Sequence, residues 1–155
     1  MDAEIKQFPE LRVACVHHTG PYNQIHEAFE RLGAVAGSAG LFGHPGVAMV
    51  ALYHDDPEST PASHLRSDAA IVVPEGVPLP EPLAEQRIPG GQYACALHVG
   101  PYEQLGDAWA RLVGEWLPAS GHRMGPGVSY ELYLNNPTTA PAEQLRTEMR
   151  IPIDA

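Results

Sequence analysis

The protein has 155 residues, of which 44% are hydrophobic and 18% are charged, and its formal net charge is −10. This length fits one domain of ordinary size, and the apolar fraction is too high for a disordered chain. The strong negative charge excludes an extended basic surface of the kind that duplex DNA requires, so direct nucleic-acid binding is not expected.

The sequence also predicts a location. The N-terminal stretch MDAEIKQF has no apolar signal core, and no stretch reaches transmembrane length. Two cysteines, Cys15 and Cys95, are too few for a disulfide scaffold and are expected to be buried as small apolar residues. We therefore expect a cytoplasmic protein that makes no membrane contact.

The first half of the chain predicts four strands and one helix. The strands are AEIKQF (3–8), RVACVHH (12–18), VAMVALYH (47–54) and SDAAIVV (67–73), and the helix covers about 21–38. Pro9 marks a turn between the first two strands. Gly20-Pro21-Tyr22 predicts the strand-to-helix turn, because glycine suits a tight exit and proline is tolerated in the first helical turn.

The second half repeats this order eighty positions later. Its strands are LAEQRI (83–88), QYACALH (92–98), VSYELYL (128–134) and TEMRIPI (147–153), and its helix covers about 101–117. Between residues 11–32 and 91–112, 10 of 22 positions are identical, including the motif Gly-Pro-Tyr. Chance identity is roughly one position in fifteen, so the pattern indicates an internal duplication.

The predicted fold class is therefore α+β. Two ββαββ repeats, about 4–77 and 84–155, are expected to form a single domain over 1–155, with PEGVPLPEP (74–82) between them. The two helices should pack on antiparallel sheet. A ligand groove is expected along the pseudo-two-fold axis that relates the repeats.

The clearest candidate for chemistry is Glu131, which replaces Ala51 of the first repeat. Strand alternation places it on one face with Ser129 and Tyr133. A carboxylate in the middle of a strand beside aromatic residues suits a cationic or polarised ligand, because its desolvation is costly without compensation. The alternative is a solvated glutamate on the polar face of a half-exposed sheet, and the pattern alone favours that alternative.

The other candidate ligand-binding residues are Tyr22, Tyr53, Tyr102, Trp109 and His18. Tyr102 and Trp109 could form a stacking wall, although an aromatic residue at helical spacing is more often part of the core. Tyr22 and Tyr53, like Tyr133, could reach a groove or lie at its rim. The eight histidines have no metal-ligand spacing, so neither a metal nor a cofactor is expected.

Several motifs together resemble those of the DNA gyrase inhibitor (GyrI-like) family. They are EIKQ, HTGPY, YHDDPESTPASHLRSDAAIVV, IPGGQYA and YELYLNNP, in the family's order and over essentially the whole chain. The effector-binding domains of AraC- and MerR-type regulators are similar. The resemblance implies a duplicated fold whose groove binds cationic, often hydrophobic drugs through a glutamate that falls on Glu131.

The resemblance implies three activities. The main expectation is a stand-alone protein that binds a small hydrophobic or cationic molecule and inhibits DNA gyrase or protects it from toxins. The alternatives are the effector-binding part of a transcription regulator and a hydrolase of cyclopropane-bearing alkylating natural products. In the hydrolase, Glu131 and Tyr133 would be catalytic, whereas the main expectation assigns no catalytic residue. Neither the ligand nor the oligomeric state follows from the sequence.

Overall fold

The computed structural model describes residues 2–154, which divide into two compact units. Residues 10–89 form what we call the N-terminal unit, and residues 2–9 with 90–154 form the C-terminal unit. In each unit, helical residues pack on one face of a four-stranded antiparallel sheet, which confirms the predicted α+β class. No helix within residues 2–154 is long and apolar enough to cross a membrane.

The N-terminal unit has the strand order β3-β4-β2-β5. Its elements are β2 (Leu11–Thr19), α1 (His26–Ser38), β3 (Met49–Tyr53), β4 (Arg66–Val72) and β5 (Ala84–Ile88). Short 3₁₀ turns occur at Tyr22–Gln24, Leu41–Gly43 and Ala62–His64. The core forms where Ala28 and Leu32 of α1 pack on Ala69 and Ile71 of β4, as the helical spacing predicts.

The C-terminal unit has the strand order β1-β6-β8-β7. Its elements are β1 (Ala3–Phe8), β6 (Gly91–Val99), α2 (Leu105–Arg111), a π-helical turn (Leu112–Trp116), α3 (Leu117–Ser120), β7 (Ser129–Tyr133) and β8 (Arg146–Pro152). Tyr102–Gln104 and Ala142–Gln144 are 3₁₀ turns. Leu105, Ala108 and Leu112 pack on Met149 and Ile151 in the core.

The edge strands differ from the sequence prediction in their pairing. All eight predicted strands form, but β1 pairs with β6 and β5 pairs with β2, so each unit takes its edge strand from the other half of the chain. The physical reason is that strand alternation identifies the faces of a strand but not the strand beside it. The patterns of AEIKQF and LAEQRI could therefore not assign either strand to its neighbour.

The two Gly-Pro-Tyr turns have the same conformation. Gly20 and Gly100 have φ values of 131° and 139°, which residues with a side chain rarely adopt. The Nε2 atom of His18 donates a hydrogen bond of 3.1 Å to the carbonyl oxygen of Pro21, and His98 makes the equivalent bond of 3.2 Å to Pro101. The repeated pentapeptide therefore encodes a turn that a buried histidine stabilises from within.

Candidate functional site

Glu131 lies on β7 in the C-terminal unit, and only 3% of its surface is exposed. Its partner in the β7–β8 register is Met149, which is fully buried in the core beneath α2. The alternative of a solvated glutamate on the polar face is therefore wrong. The strand places the carboxylate on the face that the helix covers, where water is largely excluded.

Two neutral donors hold the carboxylate. The indole Nε1 of Trp109 donates a hydrogen bond of 2.6 Å to Oε1 of Glu131. The hydroxyl of Tyr133 donates a bond of 2.6 Å to Oε2. Such bonds offset part of the desolvation cost of a buried carboxylate, but a neutral donor does not neutralise its charge.

Tyr102 is a third aromatic residue near the carboxylate of Glu131. Its ring lies 5.4 Å from the ring of Tyr133, measured between centroids, with the two planes tilted by 58°. Burial raises the pKa of Tyr102, and the negative charge of Glu131 raises it further. The structure therefore brings together four of the predicted site residues, Glu131, Tyr133, Trp109 and Tyr102, within the C-terminal unit.

The remaining predicted site residues lie in the N-terminal unit. Tyr22 and Tyr53 pack with their ring centroids 4.7 Å apart, and the hydroxyl of Tyr22 donates a bond of 2.6 Å to the carbonyl oxygen of Asp55. Ala51, which occupies the position equivalent to Glu131, is fully buried. His18 is bonded within its own turn. Ligand binding by these three candidates stays a prediction.

A further polar cluster was missed by the sequence reasoning. Asp68 of β4 is 2% exposed, and its carboxylate is bonded by His54 at 2.5 Å, Gln86 at 2.9 Å and His17 at 3.0 Å. Burial alone would raise its pKa, but the three hydrogen bonds together lower it to about 2. A comparison of the two halves could have identified this cluster. The second half has Leu97 and Leu134 at the positions that His17 and His54 occupy in the first half.

The described residues do not form a candidate metal-binding site. Within residues 2–154, no group of three or more histidine, cysteine or acidic side chains is arranged to hold a metal ion. Cys15 and Cys95 are buried, and burial raises the pKa of each thiol to about 12, so both are protonated and unreactive near neutral pH.

Comparison with known proteins identifies a matching family and a similar protein of known name. The family model described as "GyrI-like small molecule binding domain" matches residues 1–154. A protein of Escherichia coli (strain K12) named DNA gyrase inhibitor is 34% identical over 140 residues, which are 88% of this chain and 87% of the relative. Its similarity extends over nearly the whole length of both proteins.

Three solved structures share the fold. The C-terminal domain of EcmrR has a TM-score of 0.77 at 20% identity, covering 99% of this chain and 97% of that domain. A hydrolase from Listeria innocua has a TM-score of 0.69 at 18% identity, covering 98% and 91%. SAV2435, solved with bound tetraphenylphosphonium, has a TM-score of 0.72 at 13% identity, covering 100% and 95%. At these identities the likeness shows the fold alone.

Proposed function

Because the chain belongs to the GyrI-like family of small-molecule binding domains, we propose that it binds a hydrophobic cation through Glu131. The observation that carries this proposal is the burial of a carboxylate whose oxygens accept hydrogen bonds from the neutral donors Trp109 and Tyr133. A cation that reaches the carboxylate adds a charge–charge attraction to these hydrogen bonds.

The energetics favour a cation over a neutral ligand. Removing a carboxylate from water is expensive, and hydrogen bonds that involve a charged group contribute about 1.5–3 kcal/mol each. Coulomb attraction is also stronger in a poorly solvated site than in water. A cationic ligand gains this attraction at Glu131, whereas a neutral ligand of the same shape gains only apolar contact.

The surrounding rings favour a cation that is also hydrophobic. Tyr102, Tyr133 and Trp109 are aromatic, and aromatic faces attract cations with a strength of about 0.5–2 kcal/mol. SAV2435, which shares this fold, was solved with tetraphenylphosphonium, a cation enclosed by four phenyl rings. We take this compound as the probe for the proposed site.

The chain offers an internal reporter for the test. It has two tryptophans, and Trp116→Phe leaves Trp109 as the one fluorophore of its kind beside Glu131. Titration of this variant with tetraphenylphosphonium should give a saturable change in indole emission. Neutral triphenylphosphine oxide should bind at least about tenfold more weakly, a difference of about 1.4 kcal/mol. Equal responses to the cation and the neutral compound would contradict the proposal.

At the level of the cell, we propose that the protein is a cytoplasmic inhibitor of DNA gyrase, as its relatives' name suggests. With a net charge of −10, it lacks the basic surface needed to compete for DNA, so inhibition would act on the enzyme itself. The protein should reduce supercoiling of a relaxed plasmid by gyrase without retarding the plasmid in a gel. Unchanged supercoiling with the protein in excess over gyrase would contradict this role.

A second candidate function is hydrolysis of cyclopropane-bearing alkylators. The specific observation is the 2.6 Å hydrogen bond between the hydroxyl of Tyr133 and Glu131, which pairs a proton donor with a carboxylate. Glu131 would take a proton from water as the water opens the three-membered ring, and Tyr133 would polarise the leaving group. Turnover of such an alkylator that Glu131→Gln abolishes would favour this activity over simple binding. The fold shared with the C-terminal domain of EcmrR supports a third candidate, the effector-binding part of a regulator.

A further inference from the structure

Four chemically active side chains share one face of the β2–β4 ladder in the N-terminal unit. In the antiparallel register, His17 lies opposite Asp68 and Thr19 lies opposite Arg66. Residues two apart on a strand point to the same face. The ladder therefore presents a hydroxyl, an imidazole, a carboxylate and a guanidinium as neighbours, at a place unrelated to Glu131.

Three of these groups form a continuous hydrogen-bonded chain. Oγ1 of Thr19 lies 3.1 Å from Nε2 of His17, and Nδ1 of His17 lies 3.0 Å from Oδ1 of Asp68. Thr19 is exposed, the His17 side chain is 54% exposed and the Asp68 side chain is 3% exposed. The hydroxyl of Thr19, at the nucleophilic end of this hydrogen-bonded series, thus faces solvent. The carboxylate of Asp68, which orients His17, is buried.

The buried carboxylate fixes the roles of the imidazole nitrogens. Because the hydrogen bonds to Asp68 keep it ionised at neutral pH, Asp68 can only accept, and Nδ1 of a neutral His17 must carry the hydrogen. Nε2 then has the lone pair and faces the hydroxyl of Thr19. This is the arrangement in which a histidine accepts a proton from a nucleophilic hydroxyl.

Arg66 lies opposite Thr19 in the ladder, but its guanidinium is bonded to Asp55 through Nε at 3.0 Å and through Nη2 at 2.9 Å. It is therefore assigned no role in the reaction. The other three groups match the nucleophile, the base and the orienting carboxylate of acyl transfer.

The other unit shows that the fold does not require these groups. In the β6–β8 register, Leu97 lies opposite Glu148 and Val99 lies opposite Arg146, at positions eighty residues further along the chain. Leu97 and Val99 are 43% and 55% exposed, so the hydroxyl and the imidazole are replaced by apolar side chains without loss of the ladder. The equivalent ladder supplies matched substitutions for a test.

We propose that Thr19, His17 and Asp68 form an acyl-transfer site for small esters, distinct from the site at Glu131. Oγ1 of Thr19 attacks the ester carbonyl while its proton passes to Nε2 of His17. The intermediate collapses, the alcohol leaves with that proton, and the acyl group stays on Thr19. Water then attacks the acyl-threonine with His17 again as the base, releasing the carboxylic acid and restoring the hydroxyl.

The first test uses p-nitrophenyl acetate and the full chain. Release of p-nitrophenolate should begin with a burst, and mass spectrometry should find one acetyl group on Thr19. Thr19→Val and His17→Leu, which copy the other ladder, should lose the burst and the adduct, whereas Thr19→Ser should keep both. Unfolding temperatures close to that of the wild type show that the variants fold. An acetyl group on any other residue, or the same steady rate in Thr19→Val, would contradict the proposal.

Asp68 acts through His17, so its test needs a readout beyond rate. Asp68→Asn should lower kcat for p-nitrophenyl acetate by about tenfold or more and leave KM within about twofold, because Asp68 orients His17 but does not contact the ester. His54→Leu removes another hydrogen-bond partner of Asp68 but leaves Thr19, His17 and Asp68 in place, so this variant should retain the acetyl adduct. Glu103→Gln, which removes an exposed carboxylate of the C-terminal unit, should leave acylation unchanged. An unchanged kcat in folded Asp68→Asn would remove Asp68 from the proposed mechanism.

Discussion

Trp109 and Glu131 are 22 positions apart in the chain and are joined by a hydrogen bond of 2.6 Å from the indole nitrogen to Oε1. The bond connects helix α2 to strand β7 on the buried face of the C-terminal unit. An acidic side chain thus occupies a core position and receives its donors from aromatic residues. A site of this kind is costly to the unliganded protein, which is why we connect it with ligand binding.

The first prediction concerns this bond. Trp109→Phe keeps an aromatic ring but removes the donor to Glu131, so the free energy of unfolding should fall by about 1–3 kcal/mol. Trp116→Phe is the matched control, because Trp116 packs against the same apolar cluster and its indole nitrogen makes no hydrogen bond within residues 2–154. Urea unfolding of both variants provides the comparison. Equal losses would mean that the bond contributes nothing beyond packing.

The second prediction concerns acid stability. The pKa of Asp68 is about 2 in the folded protein, below its ordinary value of 3.8, so its contribution is present above about pH 4 and is lost as the pH falls towards 2. The shift corresponds to about 2 kcal/mol. Asp68→Asn should be less stable than the wild type at neutral pH, and the two stability curves should converge at acidic pH. Parallel curves from pH 7 to pH 2 would contradict the assignment.

The third prediction concerns Arg150, a 9% exposed cation on β8. Its guanidinium carbon lies 3.6 Å from the ring centroid of Phe8, and its nitrogens bond Glu148 at 2.7 Å and Tyr130 at 2.9 Å. Arg150→Ala should cost about 3 kcal/mol or more, because Glu148 would be left without its cation. Arg146→Ala, on the same strand but exposed, should change the unfolding free energy by less than about 0.5 kcal/mol.

The fourth prediction compares two glycines. A Cβ atom on Gly125 would lie 2.8 Å from the carbonyl carbon of Ile153, so Gly125→Ala forces the backbone apart and should destabilise the protein. A Cβ atom on Gly33, inside α1, meets no atom within 4 Å. Gly33→Ala should therefore stabilise the protein by about 0.5–1 kcal/mol through helix propensity. The unfolding temperatures of the two variants, compared with that of the wild type, test both expectations. A lower unfolding temperature in Gly33→Ala would contradict the second.

The sequence predicted every strand because strands depend on local patterns. The predicted helix starts, about 21 and 101, were wrong by several residues, because 3₁₀ turns at Tyr22–Gln24 and Tyr102–Gln104 precede the α-helices that begin at His26 and Leu105. Gly20 and Gly100 need positive φ values, and the helical spacing of apolar residues identifies the buried faces. The pairing of β1 with β6 was not predictable, because strand alternation does not identify the neighbouring strand. The predicted ligand groove between the repeats stays a prediction.

The candidate site was predictable only in part. Comparing Ala51 with Glu131 identified the residue, but the alternation of β7 could not say which face the helix covers, so the pattern alone favoured a solvated carboxylate. The donor from Trp109 depends on tertiary packing. Asp68 of β4 was missed because its partners are distant in sequence and only the folded sheet brings them together. His17 lies on β2, and His54 directly follows β3.

The most direct measurement is calorimetric titration of the wild type, Glu131→Gln and Glu103→Gln with tetraphenylphosphonium. Glu103 is an exposed residue of the Tyr102–Gln104 turn, so its variant removes the same charge without touching the buried site. The proposed site predicts that Glu131→Gln binds about ten- to a hundredfold more weakly than the wild type, while Glu103→Gln binds within about twofold. Thermal melts should show Glu131→Gln as stable as the wild type or slightly more stable. No binding by the wild type, or equal affinity in folded wild type and Glu131→Gln, would contradict the central claim that Glu131 binds a cationic ligand.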